Sequence, residues 1–204
     1  SSPNLPWCGP TPAQWAELMG CTEEVARRVV VAAAREVFEE CGVLLAGPDE
    51  HSVVQDLSDP TWKENRTALE NHEIAFADFL ILHGLVLRTD LLGLISNFCT
   101  PEFETKRYDT FFFSALMPEG QVADGETSEA QIADWVTPAY AMRAGDAGKW
   151  LVLAPTIYNL TCVASAHSAK EFVETRRKLT RFMSYPIKKE DGTFVLHCDF
   201  PKRG

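Results

Sequence analysis

The amino-acid sequence predicts an α/β domain in which a mixed sheet packs against helices. Apolar residues recur every three to four positions in several segments that open with a capping residue, which is typical of helices buried on one face. Other segments are rich in aromatic and β-branched residues and end at proline or glycine, which is typical of strands. The 204 residues, 46% of them hydrophobic, suffice for one large core. We therefore predict a single domain over residues 1–204, without internal repeats.

Composition narrows the range of partners. The formal net charge of −10 argues against nucleic acid, because proteins usually meet its phosphates with a dense basic surface. An anionic ligand would therefore need a metal ion between it and the protein. The apolar stretch 75–87 is interrupted by Asp78 and His83 and is shorter than the roughly 20 residues of a membrane helix, so we expect no membrane insertion. Six cysteines without paired spacing favour reduced thiols and a cytoplasmic location.

Two helices are predicted near the start of the chain. Prolines favour an irregular conformation over residues 1–12, and apolar residues from Trp15 onward then recur at helical spacing until Gly20. Thr22 is an N-cap candidate for a longer helix that reaches Cys41, followed by a glycine suited to end it. The residues expected to form its buried stripe are Ala26, Val30, Ala33, Val37 and Cys41.

The middle of the chain predicts a helical pair. Asp59 followed by Pro60 is a cap with proline at the first helical position. A second apolar pattern begins near Phe76 and ends at Gly84. We interpret residues 58–84 as a helical insertion within the domain.

Strands and further helices are predicted in the second half. The aromatic run 108–116 indicates a buried strand, and residues 132–136 indicate another. An apolar helical pattern follows Pro155, and Ser168 opens a second helix with a capping box. Residues 194–196 favour a last strand.

The long helix carries a group of carboxylates beside its apolar stripe. Glu36 and Glu40 lie one turn apart, and Glu39 lies on the same flank, so their charges repel. A divalent cation such as Mg²⁺, which prefers oxygen ligands, would turn this repulsion into binding. Arg35 can pair with Glu39 and orient it. An ordinary solvated acidic face is the alternative interpretation of such a cluster.

Residues 35–43 read Arg-Glu-Val-Phe-Glu-Glu-Cys-Gly-Val, on a helix ended by glycine. The segment resembles the second half of the Nudix box, Arg-Glu-aliphatic-any-Glu-Glu-any-Gly-aliphatic, at every specified position. The resemblance implies a Nudix-type α/β/α sandwich. It also implies that Glu36, Glu39 and Glu40 bind Mg²⁺ or Mn²⁺ and act in catalysis with Arg35 orienting them.

The likeness covers most of residues 13–160 and points to one branch of the family. The matching segments are Trp15 to Leu18, Val43 to Ala46, Arg107 to Thr110 and Trp135 to Pro138. They look like the Nudix branch that includes the peroxisomal coenzyme A diphosphatase. Resemblance to that branch makes coenzyme A or an acyl derivative the leading small-molecule substrate.

One departure concerns the first half of the box. At the usual spacing its glutamate would fall on Arg27 and its glycine on Cys21, so that half is absent here. Members of the branch carry a long insertion between the two halves, which would put the glycine half before Ser1. We therefore expect N-terminal strands to be missing from this chain, and expect a companion chain or a homo-oligomer to supply them.

Two further site candidates depend on position in the family pattern. Glu126 and Glu129 precede the strand predicted near Trp135, where the family often places an acid that acts as a base or extra metal ligand, and Glu129 is preferred. A solvent-exposed loop is the alternative. Arg107 could clamp a substrate phosphate, with a surface salt bridge as the alternative.

The resemblance therefore implies a hydrolase that cleaves a diphosphate linkage with the help of a metal ion. A non-catalytic Nudix-fold module that binds a nucleotide or a protein is the rival, because half of the box is absent. A structural helical protein with a fortuitous acidic patch is the third interpretation. Nucleotide sugars, dinucleotides and other nucleoside diphosphates stay open as substrates, because loops outside the box determine specificity.

Overall fold

The computed structural model describes residues 4–100, 105–106, 108–126, 133–177 and 179–200. Helices and short strands alternate along the chain. The helices are α1 (Pro12–Met19), α2 (Glu23–Cys41), α3 (Pro60–Glu70), α4 (Phe76–Leu82), α5 (Pro138–Asp146), α6 (Ala154–Ala164) and α7 (Ala169–Glu174). The strands are β1 (Trp7–Cys8), β2 (Ala46–Gly47), β3 (Val86–Arg88), β4 (Leu92–Cys99), β5 (Asp109–Ala115), β6 (Arg181–Met183), β7 (Tyr185–Lys188) and β8 (Phe194–His197).

Gly20 at the end of α1 and both end residues of α2 are those that the sequence predicts, whereas the cap of α1 at Thr11 was not predicted, and α1 begins at Pro12, inside the region 1–12 expected to be irregular. Thr11 and Gln14 form a capping box at the start of α1, and the Thr22 hydroxyl accepts a hydrogen bond from the Val25 amide at the start of α2. Gly20 and Gly42 end the two helices in the left-handed conformation, which glycine adopts without steric cost. The predictions of both helices are confirmed.

The buried stripe of α2 differs from the predicted one. The fully buried apolar side chains are Ala26, Val30, Ala34 and Phe38, whereas Ala33 and Val37 are half-buried and Cys41 is exposed. The stripe is rotated around the helix toward Phe38, because the ring of Phe38 stacks on that of Phe79 in α4, with 5.7 Å between the ring centroids. The inclusion of Cys41 in the stripe was therefore wrong, since the core lies toward α4.

Helices α3 and α4 form the predicted helical pair. Asp59 caps α3 by accepting a hydrogen bond from the Thr61 amide, and Gly84 follows α4 with a positive φ of 63°. The pair packs into the core and not onto its surface, since Leu69, Phe79 and Leu80 are at most 1% exposed. Whether residues 58–84 are an insertion relative to other family members stays a prediction.

The strands form mixed sheets, as the fold class requires. Strand β4 pairs antiparallel with β5 and parallel with β6, and β3 pairs parallel with β1 and antiparallel with β2. Strand β8 pairs with β7, which confirms the last predicted strand. Helices α6 and α7 also begin where predicted, whereas α5 was not predicted.

Two strand predictions need correction. Strand β5 forms, but its middle is half-buried and its ends are exposed, so it is not the buried strand expected over 108–116. Residues 133–136, within the strand predicted over 132–136, are not in a strand, and residue 132 lies outside the described ranges. Trp135 is 75% exposed, and the chain runs without a partner strand into the cap of α5 at Thr137.

The side chain of Gln121 connects two segments of the chain through hydrogen bonds to their main-chain groups. Its buried side-chain amide accepts a hydrogen bond from the Leu44 amide and donates one to the Leu44 carbonyl, both at 2.9 Å. The same nitrogen donates to the Val54 carbonyl. One side chain thus links the residues after α2 to the segment before α3.

No helix in the described part of the chain is long and apolar enough to span a membrane.

Candidate active site

The three glutamates of the acidic helix point in different directions. Glu36 is half-exposed and forms an ion pair with the guanidinium of Arg35. Glu39 is turned inward and is 8% exposed, with its Oε1 atom 3.4 Å from Nε of Arg35. Glu40 is exposed on the surface of the helix. Arg35 therefore contacts two of the three carboxylates, as the sequence predicts for Glu39.

Glu39 is the most electrostatically unusual of these residues. Burial raises the pKa of its carboxyl group, Arg35 partly offsets the rise, and the charge of Glu36 adds to it. Its Oε1 atom is buried without a hydrogen-bond partner, and so is Oε1 of Glu70. A buried carboxylate oxygen left unsatisfied is costly, which is the situation in which a bound cation would stabilise the folded protein.

The residues fit a divalent cation in chemistry but do not form a preassembled cage. Carboxylate oxygens are the ligands that Mg²⁺ and Mn²⁺ prefer, and Oε1 of Glu39 accepts no hydrogen bond, although it is ion-paired with Arg35. In the ranges that the structure describes, no three histidine, cysteine, aspartate or glutamate side chains are grouped closely enough to hold a metal ion. Arg35 supplies the positive charge beside Glu36 and Glu39, so a cation would compete with it.

Replacing Glu39 by glutamine is expected to make the metal-free protein more stable at neutral pH. The pKa of Glu39 is raised on folding, so the folded protein favours the protonated, neutral carboxyl group. The stability that this preference contributes is fully present below the ordinary carboxyl pKa, and it is lost as pH rises through the raised pKa. Glutamine mimics the neutral form, so the difference in free energy of unfolding should grow from acidic to neutral pH. Chemical denaturation in the presence of a chelator measures it. A variant less stable than wild type at pH 7 would contradict this expectation.

A buried arginine of α3 contacts the end of α2, and no function was predicted for it from the sequence. Arg66 of α3 is 7% exposed and donates from Nε to the Glu39 carbonyl at 2.8 Å. Its Nη1 donates to Oδ1 of Asp124 at 2.7 Å. The only sequence signal was an arginine at helical spacing from Trp62 and Leu69, on the face that enters the core. The contact to Asp124 had no local signal at all.

Two cavities lie beside the C-terminal half of α2. One of about 370 Å³ is mainly apolar and is lined by Val37, Cys41, Phe113, Met117 and Trp135, among others. The other, of about 460 Å³, is more polar and lies between α3 and the segment 120–126. Both border the C-terminal half of α2 and share Asp124 in their lining, but none of the three glutamates lines either of them.

The remaining predicted site residues are only partly covered by the structure. Glu126 is exposed and forms an ion pair with Lys63 of α3. Glu129 and Arg107 lie outside the described residues. Their assignments as catalytic acid and phosphate ligand therefore stay predictions.

Comparison with known proteins assigns this arrangement to a family. A family model matches residues 13–163, well over half of the chain, so the chain belongs to the Nudix family. That model is described as the NUDT19 Nudix domain, which places the chain in the branch that includes the peroxisomal coenzyme A diphosphatase.

Two individual proteins support the assignment. The chain is 29% identical over 183 residues to "Putative nudix hydrolase 7" of Caenorhabditis elegans, a match that covers 84% of this chain and 55% of that protein. The chain thus spans about half the length of this curated relative. The crystal structure of a Nudix hydrolase from Alicyclobacillus acidocaldarius superimposes with a TM-score of 0.66 at 22% identity, over 83% of this chain and 78% of that one. The last likeness shows a shared fold.

Proposed function

We propose that this chain belongs to a metal-dependent hydrolase that cleaves a diphosphate linkage in a small molecule. The observation that carries the proposal is the acidic helix, which holds the complete second half of the Nudix box on one well-capped element. The buried Glu39 supports it, because an unsatisfied carboxylate oxygen persists more readily where a function requires it than where stability alone is selected.

In this proposal Glu36, Glu39 and Glu40 hold Mg²⁺ or Mn²⁺, and Arg35 orients the first two. The metal, when bound, lowers the pKa of a water molecule and neutralises phosphate charge. Arg35 contacts both carboxylates, so it keeps their negative charges close together until a cation replaces it. Glu126 or Glu129 would accept the proton of the attacking water from the segment that follows Gln121.

Coenzyme A or an acyl-CoA is the proposed substrate. The family branch supports it, and so do the two cavities, since such a molecule has a charged diphosphate between a nucleotide and a long uncharged arm. The more polar recess lies beside Lys63 and the apolar one beside Trp135. The net charge of −10 fits a substrate whose phosphates are bound through metal ions.

A hydrolysis screen tests the proposal. The full-length protein would be incubated with coenzyme A, a nucleotide sugar and a dinucleoside polyphosphate in Mg²⁺, in Mn²⁺ and in a chelator, with product analysis to locate the cut. We expect cleavage within the diphosphate that needs the metal. We also expect saturating metal to raise the melting temperature, because a ligand that binds only the folded state stabilises it. Lack of turnover of all three compounds in both metals would contradict the proposal.

The rival function is a non-catalytic module that binds a nucleotide. It is favoured by the ion pairs of Arg35, which neutralise Glu36 and Glu39 without a metal. The same screen separates the two functions. A module would show a higher melting temperature with a nucleotide in the presence of chelator, and would release no product in Mg²⁺ or Mn²⁺.

A further inference from the structure

Arg66 joins three separate parts of the chain. Its side chain comes from α3, its Nε bonds the main chain of α2 at Glu39, and its Nη1 bonds Asp124 in the segment that follows β5. A guanidinium can make these two contacts at once because its donors are held in a rigid planar fork. The residue therefore fixes the last turn of the acidic helix relative to two other segments.

Asp124 is the counterpart of Arg66 in this junction. Its amide donates to the Cys41 carbonyl at 2.9 Å, which ties its main chain to the end of α2. Its Oδ1 atom, besides accepting from Arg66, accepts from the Glu126 amide at 3.0 Å. The carboxylate thus shapes the turn that carries Glu126 and leads on to Glu129.

The two side chains of the junction pack closely against Gly42. A Cβ atom added to Gly42 would lie 2.8 Å from Oδ2 of Asp124 and 2.9 Å from Nη1 of Arg66. Glycine is thus required here by close approach as well as by its φ of 67°. The last turn of α2 and residues 121–126 accordingly pack as one unit.

Arg66 lines the polar cavity, but its donors are largely taken up by other parts of the chain. Its side chain is 8% exposed, and its Nε and Nη1 atoms already donate to Glu39 and Asp124. The residue is therefore placed to act on the reaction through the groups that it holds. Asp124, with a side chain 41% exposed, lines both cavities, so an unchanged KM is the result that separates positioning from contact with the substrate.

We propose that Arg66 and Asp124 are positioning residues, which hold the segment 121–126, and the acid it presents, at a fixed place beside the last turn of α2. This inference rests on the proposed hydrolase function. Replacing Asp124 by alanine releases the turn from both the guanidinium and the Glu126 amide, because no side-chain oxygen is left to accept either hydrogen bond. The acid then samples many positions and the chemical step slows, whereas binding of the substrate to the cavities persists.

The test compares Asp124→Ala with a matched control, Asp90→Ala. Asp90 forms a similar pair with Arg88, whose Nη1 also donates to a main-chain carbonyl, that of Ser52. Both variants thus make the same chemical change beside a partly buried arginine. Amide hydrogen exchange over residues 119–126 and the kcat and KM for coenzyme A with saturating Mg²⁺ are measured in each.

We expect Asp124→Ala to accelerate exchange over 121–126 and to lower kcat by about 10-fold or more with KM little changed, as loss of outer supporting contacts commonly does. Asp90→Ala should change neither quantity. If Asp124→Ala does not fold, Arg66→Lys replaces it, since lysine keeps the charge but cannot hold both partners in the planar geometry.

Three results would overturn the inference. These are unaltered exchange over 121–126, an unaltered kcat, or an equal loss of kcat in the Asp90 control. If the wild-type chain hydrolyses no diphosphate, the proposed function fails and the catalytic role of the pair fails with it. Hydrogen exchange would in that case still decide whether Arg66 and Asp124 hold the segment.

Discussion

Glu40→Gln is expected to lower the metal-dependent turnover by more than about 100-fold. Loss of a contact that only supports a metal ligand commonly lowers activity by about 10–100-fold, and loss of a ligand itself should lower it further. The substitution takes one negative charge from the proposed metal ligands at an exposed position. It removes no side chain from the core, so the free energy of unfolding without metal should change by less than about 0.5 kcal/mol, as is usual at the surface.

The matched control for Glu40→Gln is Glu24→Gln on the same helix. Glu24 is also exposed, but it lies in the first turn of α2, about 24 Å from Glu40 at the helical rise of 1.5 Å per residue. Turnover should be unchanged in this variant. Initial rates at saturating Mg²⁺, together with circular dichroism to verify folding, give the comparison. Equal rates in both variants and the wild type would remove Glu40 from the proposed metal site.

Phe79→Ala is expected to lower the free energy of unfolding by about 3–5 kcal/mol, the usual cost of truncating a buried phenylalanine. Phe79 is 1% exposed and contacts four aromatic rings, those of Phe38, Trp62, Phe76 and His83. Since a domain is stable by only about 5–15 kcal/mol, this single change consumes much of the total. Urea or guanidinium unfolding measures the loss.

Leu82→Ala on the same helix is the control for Phe79→Ala. Leu82 is 82% exposed, so its truncation should leave stability within about 0.5 kcal/mol of wild type. The pair of variants asks whether α4 is docked on α2 in solution. A loss below about 1 kcal/mol for Phe79→Ala, at the mean for point substitutions, would show that the helix is not part of the core.

Helices were predictable because their signals are local. Thr22 and Gly42 fix the two ends of α2 by contacts within one turn, so the sequence contains all that is needed. The same holds for Asp59 at the start of α3. Caps of this kind depend little on the rest of the fold, and they located the acidic helix correctly.

Strand β4 was missed because its pattern depends on distant partners. Gly93 fits closely against the main chain of Val173, and a Cβ there would lie 2.8 Å from the Val173 carbonyl oxygen. Ser96 is buried because Asn159 accepts its hydroxyl hydrogen at 2.7 Å. A glycine and buried polar residues do not resemble a strand until these partners are known.

The sequence named candidate site residues but did not give their arrangement. The spacing of Glu36, Glu39 and Glu40 identified the family, yet Glu39 lies about 60° from Glu36 around the helix, on the opposite side from Glu40. That rotation turns Glu39 toward Glu70 and into the protein. The contact between Arg66 and Asp124 joins residues 58 positions apart in the sequence, so no local pattern could predict it.

Gln121 restricts how this chain can vary in evolution. An amide that accepts once and donates twice is needed to bond the Leu44 main chain on both sides and the Val54 carbonyl as well. Glutamate has the same shape but lacks both donors, and asparagine is one methylene shorter. Homologues that keep this connection should therefore keep glutamine at the position. Homologues with another residue there should have a different main-chain conformation between α2 and α3.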